Sequence, residues 1–459
     1  MMYRYSEEEI QKILNTAVRH GGDYADLYLS KTATGSVTAE EKKIRRFYRG
    51  LDEGAGIRVL KGDFSAYFYT NDISLPSLLA LAERAGESVR GGDVTAPAAL
   101  GNGVAVGSGG DFDLEDIGRR VRRLNGEAWE LSEKIHQVTI NYGDTRRETL
   151  MASTEGKLIR RTSARKRFFV QVVAKSGNEL QSAIETLGDT ETVFSWSDEL
   201  LFERIRRAAK RAERQLKAKE APSGAMPVVM SSEAGGTMVH EACGHGLEGD
   251  SVSKGLSVYK NRLGEKVADE RITVIDDATL PSHYGSYAYD DEGNEGRRSV
   301  LIKDGVLEQY MYDIRSSRRA GTSSTGNGRR ESYCFAPQVR MSNTFIAPGS
   351  DDPAAVIADL KSGFFVRKMG GGQVNTISGD FVFEVSEGYL IENGELTDLV
   401  KNASLIGNGP KALSSVFAVG DDLGFAIGTC GKGGQSVPVG DAQPTIGISE
   451  LVIGGRGSR

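Results

Sequence analysis

The chain has 459 residues, enough for two or three domains with buried cores of their own. Hydrophobic residues make up 39% and charged residues 26%, a balance that excludes a disordered chain. With 57 Lys+Arg against 63 Asp+Glu the net charge is −6, which argues against broad electrostatic binding of nucleic acid. No stretch approaches the roughly 20 apolar residues of a membrane helix, and the opening MMYRYSEEEI lacks the apolar run of a signal peptide. No membrane partner is therefore expected. Cys243, Cys334 and Cys430 are too few for a disulfide framework. Reduced thiols in a cytoplasmic setting are the natural reading, and they leave a metal or catalytic role open. Glycine is abundant, 57 residues against 11 prolines, and in the second half it is interleaved with β-branched residues. That pattern predicts many strand ends, tight turns and close backbone approaches.

In chain order, Ser6-Glu-Glu-Glu9 reads as a capping box, with Ile10, Ile13, Leu14 and Val18 at helical spacing behind it. Strands are predicted at Tyr24–Ser30, Gly56–Leu60 and Phe64–Tyr69, the last two joined by a turn at Lys61-Gly62-Asp63. A helix follows over Leu75–Val89, with Pro76 in its first turn. Gly91–Gly110, nearly uncharged, reads as an exposed loop or joint. The order then repeats: a helix from Asp113 to about Ile135, strands from Gln137 to Ile184, and a charged helix from Ser197 to Lys219. Identity between the two stretches is weak, so an internal duplication stands as a hypothesis. The last helix is rich in Arg and Lys, but the interspersed Glu203, Glu213 and Glu220 favour a solvated face over nucleic-acid binding.

Ala221-Pro-Ser-Gly224 breaks that helix, and the boundary between an N-terminal α+β domain (1–221) and a β-rich C-terminal domain (222–459) is placed there. Strands are predicted at PVVM and then at Arg271–Ile275, Ser299–Ile302, Tyr310–Asp313, Phe381–Val385, Gly388–Ile391, Leu396–Val400, Gly424–Gly428 and Thr445–Ile453. The fold class is thus α+β.

The most informative stretch is Met238-Val-His-Glu-Ala-Cys-Gly-His-Gly-Leu-Glu-Gly-Asp250. Imidazoles ligate zinc-like ions, and an adjacent Glu can take a proton from water beside the ion. The spacing is not the zincin H-E-x-x-H, because position 244 is Gly and the second imidazole is His245. On an ideal helix His240 and His245 would stand roughly 140° apart, too far to grip one ion. A distorted helix is therefore predicted between them, either a π-bulge or an unwound end, with Gly244 and Gly246 easing the backbone. A catalytic metal site needs a third ligand. Cys243, Cys334, Cys430, His283 and Glu248 are the candidates. Cys243 reads as a small core residue and Cys334, in the strand-like SYCF, equally well as a buried one, while Cys430 lies in a glycine-rich turn, Gly428-Thr-Cys-Gly-Lys-Gly-Gly434, where a thiolate can approach a cation. On spacing alone, a metal site and a capped helix with hydrogen-bonded histidines both stay open.

HEACGHGLEGD resembles the HExxxH signature of the TldD/PmbA family, in its metal-bearing TldD branch. Three further blocks, 322–349, 370–385 and 428–455, look like that family in the same order, and the similarity spans nearly the whole chain. The resemblance implies a zinc metalloprotease acting on unfolded or extended peptides. It implies His240, His245 and Cys430 as the metal ligands and Glu241 as the catalytic base. It also implies a partner, either a PmbA/TldE-like subunit in a heterodimer or a second copy. The oxyanion donor stays open among His283, Tyr284 and a backbone N–H. For substrate binding, Gly370, Gly371, Gly372 and Phe381–Val385 are candidates for a sheet edge to which a peptide adds as a strand; a plain hairpin is the alternative. Thr325-Gly-Asn-Gly-Arg-Arg330 reads either as a site for an anionic group or as a turn with solvated arginines. A P-loop reading of GTCGKGGQS fails, because Ala426 stands where its first Gly belongs and Gly433 where its Ser/Thr belongs. The alternative to a peptidase is a non-catalytic peptide-binding or regulatory subunit with a structural metal. Hydrolysis of a non-peptide amide is a third reading.

Overall fold

The computed structural model describes residues 5–89, 91, 96–101, 103–107, 112–191 and 195–457. The chain opens on the predicted capping box: Glu9 N–H donates to Ser6 Oγ, and Ser6 N–H donates to the Glu9 carboxylate. Helix α1 (Glu7–Val18) follows and buries Ile10, Ile13, Leu14, Ala17 and Val18. Strands β1 (Tyr24–Glu40), β2 (Lys43–Lys61) and β3 (Phe64–Thr70) and helix α2 (Leu75–Glu87) complete a first unit. The β2–β3 turn is the expected one, closing on the pair Lys61↔Phe64 with Gly62 at φ 52°. The strands themselves are far longer than their apolar runs. β1 pairs with β2 along its whole length, as far as Glu40↔Lys43, so residues 31–53 form a half-exposed polar ribbon that hydrophobic alternation does not signal.

Helix α3 (Leu114–Ala128), strands β5 (Ile135–Ser153), β6 (Leu158–Ser176) and β7 (Glu179–Asp189), and helix α4 (Asp198–Gln215) repeat the order helix, three strands, helix. α3 stops at Ala128, short of the predicted Ile135, which instead opens β5. Pairing of β1 with β5 fuses the two units into one seven-stranded sheet, ordered β3-β2-β1-β5-β6, with β7 and a short strand at Val104–Val106 also on β6. α1 and α2 cover one core, built on Leu27, Ile57 and Leu150, and α3 and α4 cover another, built on Val138, Phe168 and Val170. Of the expected loop at 91–110, residues 92–95, 102 and 108–110 lie outside the described residues. Within it, β4 (Val104–Val106) is a strand running parallel to β6, a correction to the open-loop reading.

The remaining strands form two larger sheets and one small ribbon. β12 (Val306–Leu307), β11 (Arg298–Lys303), β10 (Val274–Asp277), β15 (Asn343–Ile346), β22 (Gln435–Gln443) and β21 (Gly424–Lys432) lie side by side in that order. β13 (Gly328–Arg329) pairs with β14 (Gln338–Val339). In the third sheet, β16 (Ser362–Val374), β9 (Gly224–Met230), β23 (Ile446–Gly454), β19 (Ala403–Asn408) and β17 (Asp380–Glu392) follow one another. Pairing of β16 with β17 closes these five into a barrel. β18 (Glu395–Lys401), β8 (Lys219–Glu220) and β20 (Val416–Val419) flank it. Closure buries Val228, Phe364, Phe381, Phe383, Leu405 and Ile448 inside it.

Five local expectations need correction. Phe381–Val385 and Gly388–Ile391 are one strand, β17. Tyr310–Asp313 is not a strand: Met311 makes only a single bridge, to Glu248. Cys334 sits in a turn, and Cys430 lies within β21, since the turn of its hairpin is Gly433-Gly434. The basic face of α4 is not simply solvated. Arg211 is 4% exposed and reaches both Glu185 of β7 and Glu387 of β17, and Arg214 joins Glu387 at 3.1 Å. These pairs tie the N-terminal sheet to the barrel.

Candidate metal centre

The site begins where β9 ends. Gly235 and Gly236 both take left-handed backbone conformations, φ 84° and 72°, and Gly236 caps a short helix, α5 (Thr237–Ala242). A Cβ at 236 would come within 2.7 Å of Ala442 Cα, so the helix starts pressed against β22. Met238, Val239 and Ala242 are buried, which leaves His240 turned toward the β21–β22 hairpin.

After Ala242 the α-helix stops. Cys243, at φ −122° and ψ −57°, leads into a 3₁₀ turn over Gly244–Leu247. The distortion is thus an unwound end rather than a π-bulge, and it brings the two imidazole rings to 5.1 Å between centroids at 89°. Gly244 and Gly246 serve close packing here. A side chain at 244 would collide with Met341 Sδ, and one at 246 would approach the Tyr259 ring to 2.7 Å.

Cys430 on β21 supplies the third donor. Its Sγ lies 3.2 Å from His240 Nε2 and 3.3 Å from His245 Nε2. The Nδ1 atoms point away: His240 Nδ1 meets Asp441 Oδ1 at 2.6 Å, and His245 Nδ1 meets Glu248 Oε2 at 3.1 Å. Each carboxylate holds its ring with Nε2 aimed at the sulfur, the arrangement that supports metal-ligating histidines. Zinc bonds of roughly 2.0–2.1 Å to nitrogen and 2.3 Å to sulfur, in a tetrahedron, set N and S roughly 3.5 Å apart. The donor set and its spacing fit such an ion.

The electrostatics agree. Burial by itself would raise the Cys430 thiol, but hydrogen bonds from His240 and His245 bring it down to about 5. Burial works against a charged His245, yet Glu248 and Cys430 raise it to about 10; His240 is raised well above its usual value, mainly by Asp441. Glu248 is held at about 2, because Lys432 and His245 outweigh its desolvation. Lys432 Nζ spends its hydrogens on Glu248 (2.9 Å), Asp250 (2.7 Å) and the Val339 carbonyl (3.1 Å). A thiolate between cationic imidazoles is a place where a metal ion displaces protons. Glu241 projects beside this group, its carboxylate 3.9 Å from His245 Nε2, and burial raises its pKa against the pull of the two imidazoles.

The other candidates lie elsewhere. Cys243 is fully buried, its thiol pushed up to about 12 by desolvation. Cys334 is half-buried beside Tyr333. His283 bonds the Pro281 carbonyl through Nδ1, and its ring packs 4.4 Å from that of Phe425. Gly370, Gly371 and Gly372 lie on β16 where its pairing with β17 is irregular. Neither arginine of the 325–330 segment is solvated: Arg329 and Arg330 are 3% and 1% exposed. Asp441 and Lys432 were not singled out from the sequence. Only the hairpin register, with Ala426 opposite Asp441 and Lys432 opposite Gln435, reveals them.

Comparison with known proteins places the chain among metallopeptidases. Family models match the PmbA/TldA metallopeptidase domain 1 at residues 25–89, the central domain at 107–216 and the C-terminal domain at 223–455. The chain belongs to the PmbA/TldD family of metallopeptidases. It is 34% identical to a Haemophilus influenzae protein named Metalloprotease TldD homolog, over 98% of this chain and 96% of that one. A Saccharolobus solfataricus protein named Zinc metalloprotease TldD homolog is 27% identical over 97% and 99% of the two chains. Among solved structures, TldE from Thermococcus kodakarensis shares the fold at TM-score 0.75 and 17% identity, over 97% of this chain and 99% of that one.

Proposed function

We propose that this chain is a zinc peptidase for unfolded or extended peptides, with His240, His245 and Cys430 as ligands and Glu241 as general base. One observation carries the reading: two Nε2 atoms and a thiolate 185 to 190 residues away converge, each imidazole backed by a carboxylate, with a further carboxylate alongside. Zinc, when bound, supplies Lewis acidity toward water and the scissile carbonyl. Glu241 takes a proton from the attacking water and returns it to the leaving amine; its raised pKa suits both acts. Asp441 and Glu248 keep the imidazoles oriented, and Lys432, fully engaged, is not a donor to the substrate.

For the substrate, β16 packs against α5 and, beyond Val366, pairs only with β17 among the described residues. Gly370, Gly371 and Gly372 therefore border an edge where an extended peptide can add by main-chain hydrogen bonds, a mode that tolerates many sequences. His283 is assigned to the substrate side through Phe425 of β21, the strand that carries Cys430. Likeness to TldE favours a TldE-like partner subunit. The three free cysteines favour a cytoplasmic setting, and no helix among the described residues is long and apolar enough to cross a membrane. We keep the domain boundary near residue 222, because no strand is shared between the sheet of residues 24–189 and those built after residue 219.

The test combines metal analysis with digestion of an unfolded peptide, in the presence of the partner. Glu241→Gln is expected to keep about one zinc per chain while cleavage falls by about 10²–10⁴. Cys430→Ser is expected to lose the zinc. Full activity in Glu241→Gln would refute the base. A wild-type chain that holds zinc and cleaves nothing would leave the metal a structural role.

A further inference from the structure

Beside the β21–β22 hairpin that carries Cys430, the N-terminal sheet and the C-terminal half meet across a concentration of arginines. β5 and β6 bring Arg147, Arg161 and Arg165, and the segment at β13 brings Arg329 and Arg330. Together they line an interior hollow of about 30 Å³. Arg161, Ser163, Arg165 and Tyr287 are also walls of a surface cleft of about 530 Å³, so these side chains stand between the hollow and the cleft.

The charges around the hollow do not balance. Among the described residues, Asp290 and Asp291 are its only lining carboxylates. Asp291 is committed to Arg161 Nη2 at 2.5 Å and to the Arg330 N–H at 2.9 Å. Asp290 accepts from the Asn294 side chain and from the N–H groups of Glu292, Asn294 and Gly328 instead of from an arginine. Among the described residues, Arg147, Arg165 and Arg329 meet no carboxylate within ion-pair distance. Arg147 donates to the Thr32 hydroxyl and the Glu331 carbonyl, and Arg165 to the carbonyls of Tyr284 and Ser286. Arg329 donates to the carbonyls of Met341 and Pro438 and stacks on Tyr287. The buried Nε atoms of Arg161 and Arg330 have no hydrogen-bond partner among the described residues.

Guanidinium does not shed its proton, so Arg147, Arg165 and Arg329 hold positive charges at the hollow that no ion pair among the described residues offsets, a setting that favours an anion. Burial, reinforced by Arg329, Arg161 and Arg147, holds Arg165 down at about 9, and burial lowers Arg329 too, evidence of how far the cluster is from electrostatic rest.

We infer that this hollow is an anion site that takes one small monovalent anion, a halide or a single carboxylate, between Arg147, Arg165 and Arg329. Its volume is two or three times the roughly 10–15 Å³ needed for one water, which admits such an anion and excludes a phosphate ester or a whole peptide. The anion bridges β5 and β6 to the Tyr287 and Arg329 segments and so fastens the two halves of the molecule together. It has two possible sources: free chloride, or the terminal carboxylate of a peptide reaching in through the cleft.

The full chain is melted at equal ionic strength in sodium chloride, bromide or acetate, and in the sodium salt of a bulky sulfonate buffer. A saturable rise in Tm of about 2–5 °C in the small anions is expected, and Arg165→Gln should abolish it. Crystals grown in bromide should show an anomalous peak between the Arg165 and Arg329 guanidiniums. Equal melting in all four salts together with no bromide peak overturns the site. If Arg165→Gln fails to fold, the bromide peak in the wild type decides. The source is read from cleavage: slowing by chloride of a free-acid peptide but not of its amide identifies the substrate's carboxylate, and equal response of both identifies chloride.

Discussion

Glu248→Gln separates the support of the metal site from its ligands. Glu248 is 1% exposed; it accepts from His245 Nδ1 at 3.1 Å and from Lys432 Nζ at 2.9 Å. Glutamine keeps the shape and one acceptor oxygen but removes the charge that orients His245. Loss of a carboxylate behind a ligating histidine weakens metal binding about 10–100-fold, or about 1.4–2.8 kcal/mol. Breaking a buried ion pair costs about 3–5 kcal/mol when it strands a charge. Here Lys432 retains Asp250 and the Val339 carbonyl, so a smaller stability loss, about 1–3 kcal/mol, is expected. The folded carboxyl sits at about 2, below its ordinary 4.5. The stability it contributes is therefore present above 4.5 and fades as pH falls through 2. Competition titration of zinc against a chromophoric chelator at pH 7.5 measures the first effect, and melts of the metal-free protein measure the second. Unchanged zinc affinity in a folded Glu248→Gln chain would refute the orienting role.

Gly236→Ala must place a Cβ against the main chain of Ala442 in a left-handed conformation, so α5 must shift. Zinc binding and thermal stability should fall together, and a variant with wild-type values for both would contradict the packing described. Asp144 is raised to about 7 by burial, which outweighs the pull of Arg49. Its folded form prefers the proton, so the stability it contributes is full below 3.8 and lost as pH rises through 7. Asp144→Asn should therefore gain about 1–3 kcal/mol over wild type at pH 8 and nothing near pH 4, measured by urea melts at both values.

Local chemistry was legible from the residues alone. The Ser6–Glu9 capping box, the apolar stripe of α1, the Gly62-Asp63 turn and the need to deform the helix between His240 and His245 all follow from contacts within a few residues. Its glycine-rich surroundings favoured Cys430 among five candidate third ligands, but only the family resemblance named it as the ligand, because 185 residues separate it from His245. What the tertiary structure alone decided depends on register and burial. Residues 31–40 extend β1 because β2 and β5 flank them, and residues 43–53 extend β2 because they pair with β1. Asp441 reaches His240 because a hairpin sets it on the same strand pair as Cys430. Arg211, Arg329 and Arg330 looked like solvated cations and are buried, since their surroundings come from strands far away in the chain. Spacing and propensity act between neighbours in sequence, whereas the partner of a buried charge is chosen by packing between segments that only the folded chain brings together.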